Sequence, residues 1–274
     1  MVATAEIISI GNELLLGDVL DTNTHWLCRQ ITGLGGRVRR AAMVPDDPQA
    51  IAGALGAALQ RHPHLVVMTG GLGPTADDLT LASLAEALDR PLELSEQALA
   101  MVRETYAQLA DRGLVQDRAM TDARRKMALL PQGGEPLHNP VGAAPGVLLT
   151  VGDTVCVSLP GVPGELKSIF GETLRGVWAD LFGNGSFAER ILVTDCGDES
   201  SLAPVVNDVA ADHPEVYVKS RAQLYGEDVL LRITLSLSGD DSVTMVSALD
   251  AVDRDLTMGL AALGISVLER MDGR

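Results

Sequence analysis

Aromatic residues are scarce in this chain: Trp, Tyr and Phe together make up 3% of its 274 residues. Leu, Val, Ile and Ala must therefore fill its core. With 46% hydrophobic and 21% charged residues there is enough of both for a globular protein, which excludes a disordered chain. Cysteine is scarce as well. Cys28, Cys156 and Cys196 are far apart, odd in number and never paired as C-x-x-C, so neither a disulfide framework nor a structural zinc site is indicated. They read as small buried apolar side chains in a reducing compartment. Basic charge is in deficit: the formal net charge is −16. Binding nucleic acid through its backbone needs a basic face that releases counterions, so DNA or RNA is not expected as a partner. No apolar run approaches the ~20 residues of a membrane span, and no secretory leader opens the chain. A soluble, cytoplasmic protein without membrane contact is expected. His25, His62, His64, His138 and His213 show no metal-binding spacing such as H-E-x-x-H, and no Ser/His/Asp order stands out.

What is present is an alternation of strand and helix. At ~150 residues per domain, the length predicts two domains. Short apolar strands are predicted over 6–10, 37–44 and 65–69, the last (LVVMT) apolar throughout, as for a strand buried on both faces of a parallel sheet. Helices are predicted over 23–34 with Thr22 or Asn23 as N-cap, 47–61 with Asp47 as N-cap before Pro48, 81–88, 95–112 capped by Ser95, and 122–129. Two further strands, 147–151 and 154–159, precede a helix over 165–178. Alternation of this kind predicts a three-layer α/β/α domain over 1–181 with a mostly parallel sheet. The segment FGNGS at 182–186 reads as a hinge. A small α+β domain over 187–274 follows, with strands at 189–194, 215–220 and 228–237 and helices at 200–211 and 242–263.

The glycine-rich and acidic segments fall at strand ends, where ligands sit in an open parallel sheet. Gly11, Asn12 and Glu13 follow the first strand, and Asp46 and Asp47 the second. Gly70, Gly71, Leu72, Gly73, Pro74 and Thr75 follow the third, with Asp77 and Asp78 just beyond; Gly161, Pro163 and Glu165 follow a later one. Glycines at 70, 71 and 73 let backbone N–H groups approach a phosphate closely. Thr75 and Thr80 offer hydroxyls. Carboxylates of Asp46 and Asp78 are placed to share a Mg²⁺, or another divalent cation, that keeps waters and takes ligand phosphates. Each segment also has a plain reading: GGLGP as a turn, Asp78 as cap of the helix near Thr80, Asp47 as cap of its own helix, Glu13 as a solvated first-turn residue.

The segments GNELLLGDVLDTN (11–23), VPDD (44–47), TGGLGPTADDLT (69–80), NPVGAAPG (139–146) and LPGVPGE (159–165) resemble the signature segments of the CinA family. The N-terminal part of that family is similar to the molybdopterin-binding domains of molybdenum-cofactor biosynthesis, of the MogA and MoaB type. The resemblance covers essentially 4–175 and implies a homo-oligomer, dimer or trimer. It places Asp46 and Asp78 at two functionally important aspartates, with Glu13 positioning water or ribose. It puts the pterin phosphate or nucleotide on the Gly70–Thr75 loop, and Asn139, Gly142 and residues 160–165 on the far rim. Asn23 and Pro145, from the same segments, complete the candidate ligand contacts.

The activity implied is metal-dependent hydrolysis of a nucleotide pyrophosphate such as ADP-ribose or FAD. The alternative is a protein that binds molybdopterin, or transfers an adenylyl group, without pyrophosphatase activity. A third reading, an interaction protein for DNA uptake, is opposed by the charge. The C-terminal part resembles the family's KH-type domain, with ESSL at 199–202 its clearest segment. It lacks the G-x-x-G loop that clamps RNA and reads as a structural or dimerisation module. Full-length relatives continue into a nicotinamide-mononucleotide deamidase domain, and no such activity is expected of residues 1–274.

Overall fold

The computed structural model describes residues 2–183, 185–222, 230–239 and 241–273. The chain divides into two compact units, residues 3–31 with 37–182, and residues 32–36 with 183–274. The first unit runs β1 (Thr4–Ile10), α1 (Asn12–Leu16), α2 (Thr22–Gly33), β2 (Arg37–Val44), α3 (Pro48–Leu59), β3 (Leu65–Thr69), α4 (Thr80–Ala87) and β4 (Leu92–Leu94). It continues through α5 (Glu96–Asp111), α6 (Asp122–Lys126), β5 (Leu129–Pro131), β6 (Glu135–Leu137), β7 (Gly146–Val151), β8 (Thr154–Leu159), α7 (Pro163–Ser168) and α8 (Arg175–Phe182).

Six of its strands form one sheet in the order β2-β1-β3-β8-β7-β6. The first four are parallel, and their ends align: Ile10 pairs with Val44, Ser9 with Thr69, and Thr69 with Leu159. β3 is buried along its whole length. Its side chains alternate: Val66 and Met68 join Ile8, Leu55, Leu84 and Leu99 in one cluster, while Leu65 and Val67 point to the opposite, equally buried face. Four of the few aromatics gather at α2, α8 and the turn between α7 and α8. Phe170 meets Trp26 edge-on at 5.2 Å and Trp178 at 4.5 Å, and Trp178 meets Phe182 at 5.9 Å.

β7 runs antiparallel to β8, with Val147 opposite Ser158. The start of β7 therefore lies at the same sheet edge as the ends of the parallel strands. This reversal brings the segment 139–145 to that edge, and nothing in an apolar run of six residues reveals it.

Several local expectations need correction. The cap of α2 is Asp21, whose carboxylate accepts from the Thr24 N–H at 2.9 Å, not Thr22 or Asn23. The predicted helix over 165–178 starts at Pro163 and is interrupted by a π-helical turn at Ile169–Thr173. There the Trp178 indole donates to the Phe170 carbonyl at 2.8 Å and the Arg175 guanidinium to that of Gly171 at 2.6 Å. Side-chain donors thus compete with the helical ladder, a recognised cause of such interruptions. The helix at 122 stops at Lys126 because Leu129–Pro131 pairs with β4 as a strand. Asp47 and Ser95 cap as expected, accepting from Ala50 at 2.8 Å and Ala98 at 3.2 Å.

The second unit is α+β: β9 (Ser186–Thr194), α9 (Glu199–Asp212), β10 (Tyr217–Ala222), β11 (Leu231–Gly239), α10 (Ser242–Ala262) and β12 (Val267–Gly273). Its sheet is antiparallel, ordered β10-β11-β9-β12, a β-α-β-β-α-β arrangement. Leu192, Ile233, Leu235, Val252 and Leu256 form its own core. Of the strand predicted over 228–237, residues 228 and 229 lie outside the described residues; β12 was not foreseen. Among the described residues no helix is long and apolar enough to cross a membrane.

Candidate functional site

A cavity of about 440 Å³ opens at the aligned strand ends of the first unit. Gly11 and Glu13 reach it from the end of β1, Asp46 from β2, and Gly161 and Glu165 from β8 and α7. The floor is the loop after β3, through Gly70, Gly71, Leu72, Gly73, Pro74 and Asp78. This size is in the range of small-molecule sites.

The loop's glycines have separate reasons. Gly70 has φ +97°, and a Cβ there would lie 2.2 Å from the Ile10 carbonyl oxygen. Gly71 has φ +65°, and its Cβ would lie 2.3 Å from the Thr80 hydroxyl. Thr80, 1% exposed, donates that hydroxyl to the Gly70 carbonyl at 2.8 Å, so it braces the loop and does not contact ligand. The Gly70 N–H is likewise taken, by the Leu159 carbonyl at 3.0 Å. That corrects its expected phosphate contact. Among the described residues, the N–H groups of Gly71, Leu72 and Gly73 have no backbone partner, which leaves them for an anion.

Asp78 does not cap α4. The N-cap of α4 is Leu79, without a side-chain bond, while Asp78 Oδ2 accepts the Thr75 N–H at 2.8 Å. The Thr75 hydroxyl, which has one proton, is shared between the carboxylates of Asp77 and Asp78. That bond, first, and a backbone bond hold the Asp77 carboxyl below its ordinary value. Thr75 is therefore a brace rather than a ligand contact. Lys126, at the end of α6, completes the turn: its ammonium donates to the carbonyls of Thr75 and of Asp78, the latter at 2.7 Å. Lys126→Met should speed hydrogen exchange at the Asp78 N–H, which bonds to the Thr75 carbonyl, with Lys126→Arg intermediate. Unchanged exchange would remove Lys126 from this role.

Asp46 Oδ2 accepts the Asn12 N–H at 2.8 Å, and the Asp46 N–H donates in turn to Asn12 Oδ1 at 3.4 Å. Asn12 thus holds Asp46 and does not line the cavity. Asn23 also sits apart: its Nδ2 donates to the Gly161 carbonyl at 2.7 Å, and with Pro163 it lines a small side cavity of about 80 Å³. Asn139 is an anchor. It is 6% exposed, donates to Ala144 O and Glu165 Oε2, and accepts from Val141 and Gly142, so its hydrogen-bonding capacity is spent inside the loop. Asn139 and Gly142 line a second cavity, and Pro145 lines neither. Sequence reasoning missed Tyr106, Met127, Ala143 and Ala144 as lining residues. Tyr106 lies on α5 with the Arg124 guanidinium 3.9 Å from its ring centroid, a contact between segments that no local pattern announces.

Glu165 is half-buried, and burial pushes its carboxyl above the ordinary 4.5, with the Asn139 bond opposing. The fold therefore disfavours its ionised form. Its stabilising contribution is complete below the unfolded value and lost as pH rises through the folded one. Glu165→Gln should gain in thermal stability over the parent as pH is raised from about 4 to about 7. A difference independent of pH would contradict this.

Residues 6–179 match the family described as a probable molybdopterin binding domain. The chain belongs to that family. A crystal structure of the protein CinA, of unknown function, from Thermoplasma acidophilum is 36% identical with a TM-score of 0.58, covering 66% of this chain and 98% of that one. A protein of Aeropyrum pernix is 41% identical over 269 residues, 97% of this chain and 96% of its own length. One of Pyrobaculum calidifontis is 40% identical over 254 residues, 92% and 94% of the two chains. This is a CinA-like member whose N-terminal unit has the MoaB-like fold.

In this CinA-like site the carboxylates of Glu13, Asp46, Asp77, Asp78 and Glu165 line the cavity, and among the described residues no Lys, Arg or His does. Among the described residues no three metal-ligating side chains converge. Asp46 and Asp78 each use Oδ2 on a backbone N–H, and among the described residues their Oδ1 atoms have no hydrogen-bond partner. That donor set does not fit a metal held by protein alone. It fits Mg²⁺, which takes one or two carboxylates and completes its shell with water and ligand phosphates.

Proposed function

We propose that this cavity binds the phosphate-bearing end of a pterin of the molybdopterin type. In this reading the N–H groups of Gly71, Leu72 and Gly73 take phosphate oxygens. Asp46 and Asp78 would hold a divalent cation that offsets the negative lining. The observation that carries the reading is the union of free loop amides and paired carboxylates at one sheet edge, in a chain of the molybdopterin-binding family. The mass implied by resemblance, a dimer or trimer, belongs to the same proposal and is checked by light scattering. So does the absence of nucleic-acid binding, checked by retention on DNA at ~0.15 M salt.

A second reading is hydrolysis of a nucleotide pyrophosphate such as ADP-ribose or FAD. It is favoured by one observation: Glu165, with its raised proton affinity, faces the same cavity as the aspartate pair. When bound, the cation would polarise a phosphoryl oxygen and acidify a bound water. Glu13 would orient that water, and a Glu165 carboxylate oxygen would take its proton. Titration with molybdopterin and with ADP-ribose, each with Mg²⁺, separates the readings. Pterin binding without AMP release favours the first, and AMP release abolished by Asp78→Ala favours the second. Neither binding nor release would end both.

A further inference from the structure

We infer that the cleft between α5 and the His138–Gly142 loop is a second binding subsite, for an anionic end of a ligand whose phosphate occupies the acidic cavity. The inference rests on the proposed phosphate-binding reading and extends it.

The cleft measures about 480 Å³, as large as the acidic cavity. Thr105 and Gln108 on one face of α5 line it, with Arg112 just past the helix end, and the loop residues His138–Gly142 form the opposite side. The two cavities share walls. Tyr106 faces the acidic cavity while its neighbour Thr105 faces the cleft; Ala143 and Ala144 face the first while Gly142 faces the second. The Asn139 amide, on the cleft side, donates across the partition to Glu165 at 2.7 Å and to the Ala144 carbonyl at 2.8 Å, both on the cavity side. A Cβ on Gly142 would lie 2.1 Å from the Glu165 carboxylate carbon, so the partition is as thin as a residue without a side chain permits.

Their charged linings differ. Among the described residues the acidic cavity is lined by five carboxylates and no cationic side chain. The cleft carries Arg112 and His138, and its one carboxylate, Glu104, already accepts from Gln108 at 3.4 Å. Among the described residues neither Arg112 nor His138 has a salt-bridge partner. In a chain of net charge −16, a cleft whose Arg112 guanidinium has no salt-bridge partner among the described residues, beside a proposed phosphate site, is where a second anionic group finds a complementary charge. A guanidinium is also the side chain that grips phosphate or carboxylate through two parallel bonds. The ligand class this selects is an organic phosphate with two separated anionic or strongly polar ends, rather than a compact monophosphate.

The test compares a long and a short probe, ADP-ribose and AMP, each with Mg²⁺, by calorimetric titration of the full chain. The parent should favour ADP-ribose. In the double variant Arg112→Ala/His138→Ala, and independently in Gln108→Trp, which fills the cleft from an exposed helix position, the ratio of the two affinities should fall by at least about tenfold. Loss of preference in both variants supports the subsite. A ratio unchanged in both overturns it, and leaves phosphate binding in the acidic cavity intact. Two AMP molecules bound per chain, reduced to one by Arg112→Ala/His138→Ala, would assign the cleft to a separate anion and overturn the two-ended ligand. Failure of both probes to bind a parent that still binds molybdopterin overturns the subsite and leaves the phosphate reading intact; failure of molybdopterin as well overturns both.

Discussion

Asp78→Asn should weaken Mg²⁺-dependent ligand binding on the order of 10- to 100-fold while leaving thermal stability nearly unchanged. The two roles of the side chain make this separation possible. Oδ2 accepts the Thr75 N–H and shares the Thr75 hydroxyl, which shapes the turn. Among the described residues Oδ1 has no hydrogen-bond partner, which leaves it for the proposed cation. An amide keeps an oxygen for the Thr75 N–H but removes the charge. Asp78→Ala removes both and should lose stability as well as affinity. Titration calorimetry and thermal unfolding on the two variants check the distinction. Equal losses of stability in Asp78→Asn and Asp78→Ala would mean that the residue is only a turn brace.

Gly70→Ala should be far more damaging to the fold than Gly161→Ala, although both glycines line the same cavity. At Gly70 the backbone has φ +97°, and the new methyl would sit 2.2 Å from a main-chain oxygen in β1 that cannot swing aside. Strain and overpacking together cost roughly 2–4 kcal/mol, or on the order of 5–15 °C in unfolding temperature for a unit of this size. At Gly161 the nearest atom to an added Cβ is the Gly70 Cα at 3.4 Å, an ordinary contact, so the change should be near neutral. Calorimetric scans of both variants decide this. A Gly70→Ala protein as stable as the parent would show that the loop has another conformation available to it.

Much of this was legible in the sequence because the signals were local. Asp47 before Pro48 announces a helix start, and the structure shows the bond that makes it one. The unbroken apolar run of β3 announces a central strand, and the glycines beyond it announce a bend that no other residue could make. What the sequence concealed depends on direction and on distance along the chain. The six residues of β7 read the same whichever way they run, yet their antiparallel course is what delivers Ala143 and Ala144 to the cavity.

Residue chemistry was also ambiguous where one side chain can serve a ligand or its own loop. Thr75, Thr80 and Asn139 carry the groups a ligand site needs, and all three spend them on backbone and neighbouring side chains. Lys126 showed the converse. A lysine at the end of a five-residue helix has no pattern to mark it, and only the fold places its ammonium on carbonyls 51 and 48 residues away.

The most direct test of the proposed phosphate-and-cation site is a calorimetric titration of the full chain with molybdopterin and with ADP-ribose, each in Mg²⁺ and in EDTA. The expected result is binding of at least one ligand in Mg²⁺, weakened strongly by EDTA and by Asp78→Asn. Binding of equal strength in EDTA and in Asp78→Asn, or no binding of either ligand, would contradict it.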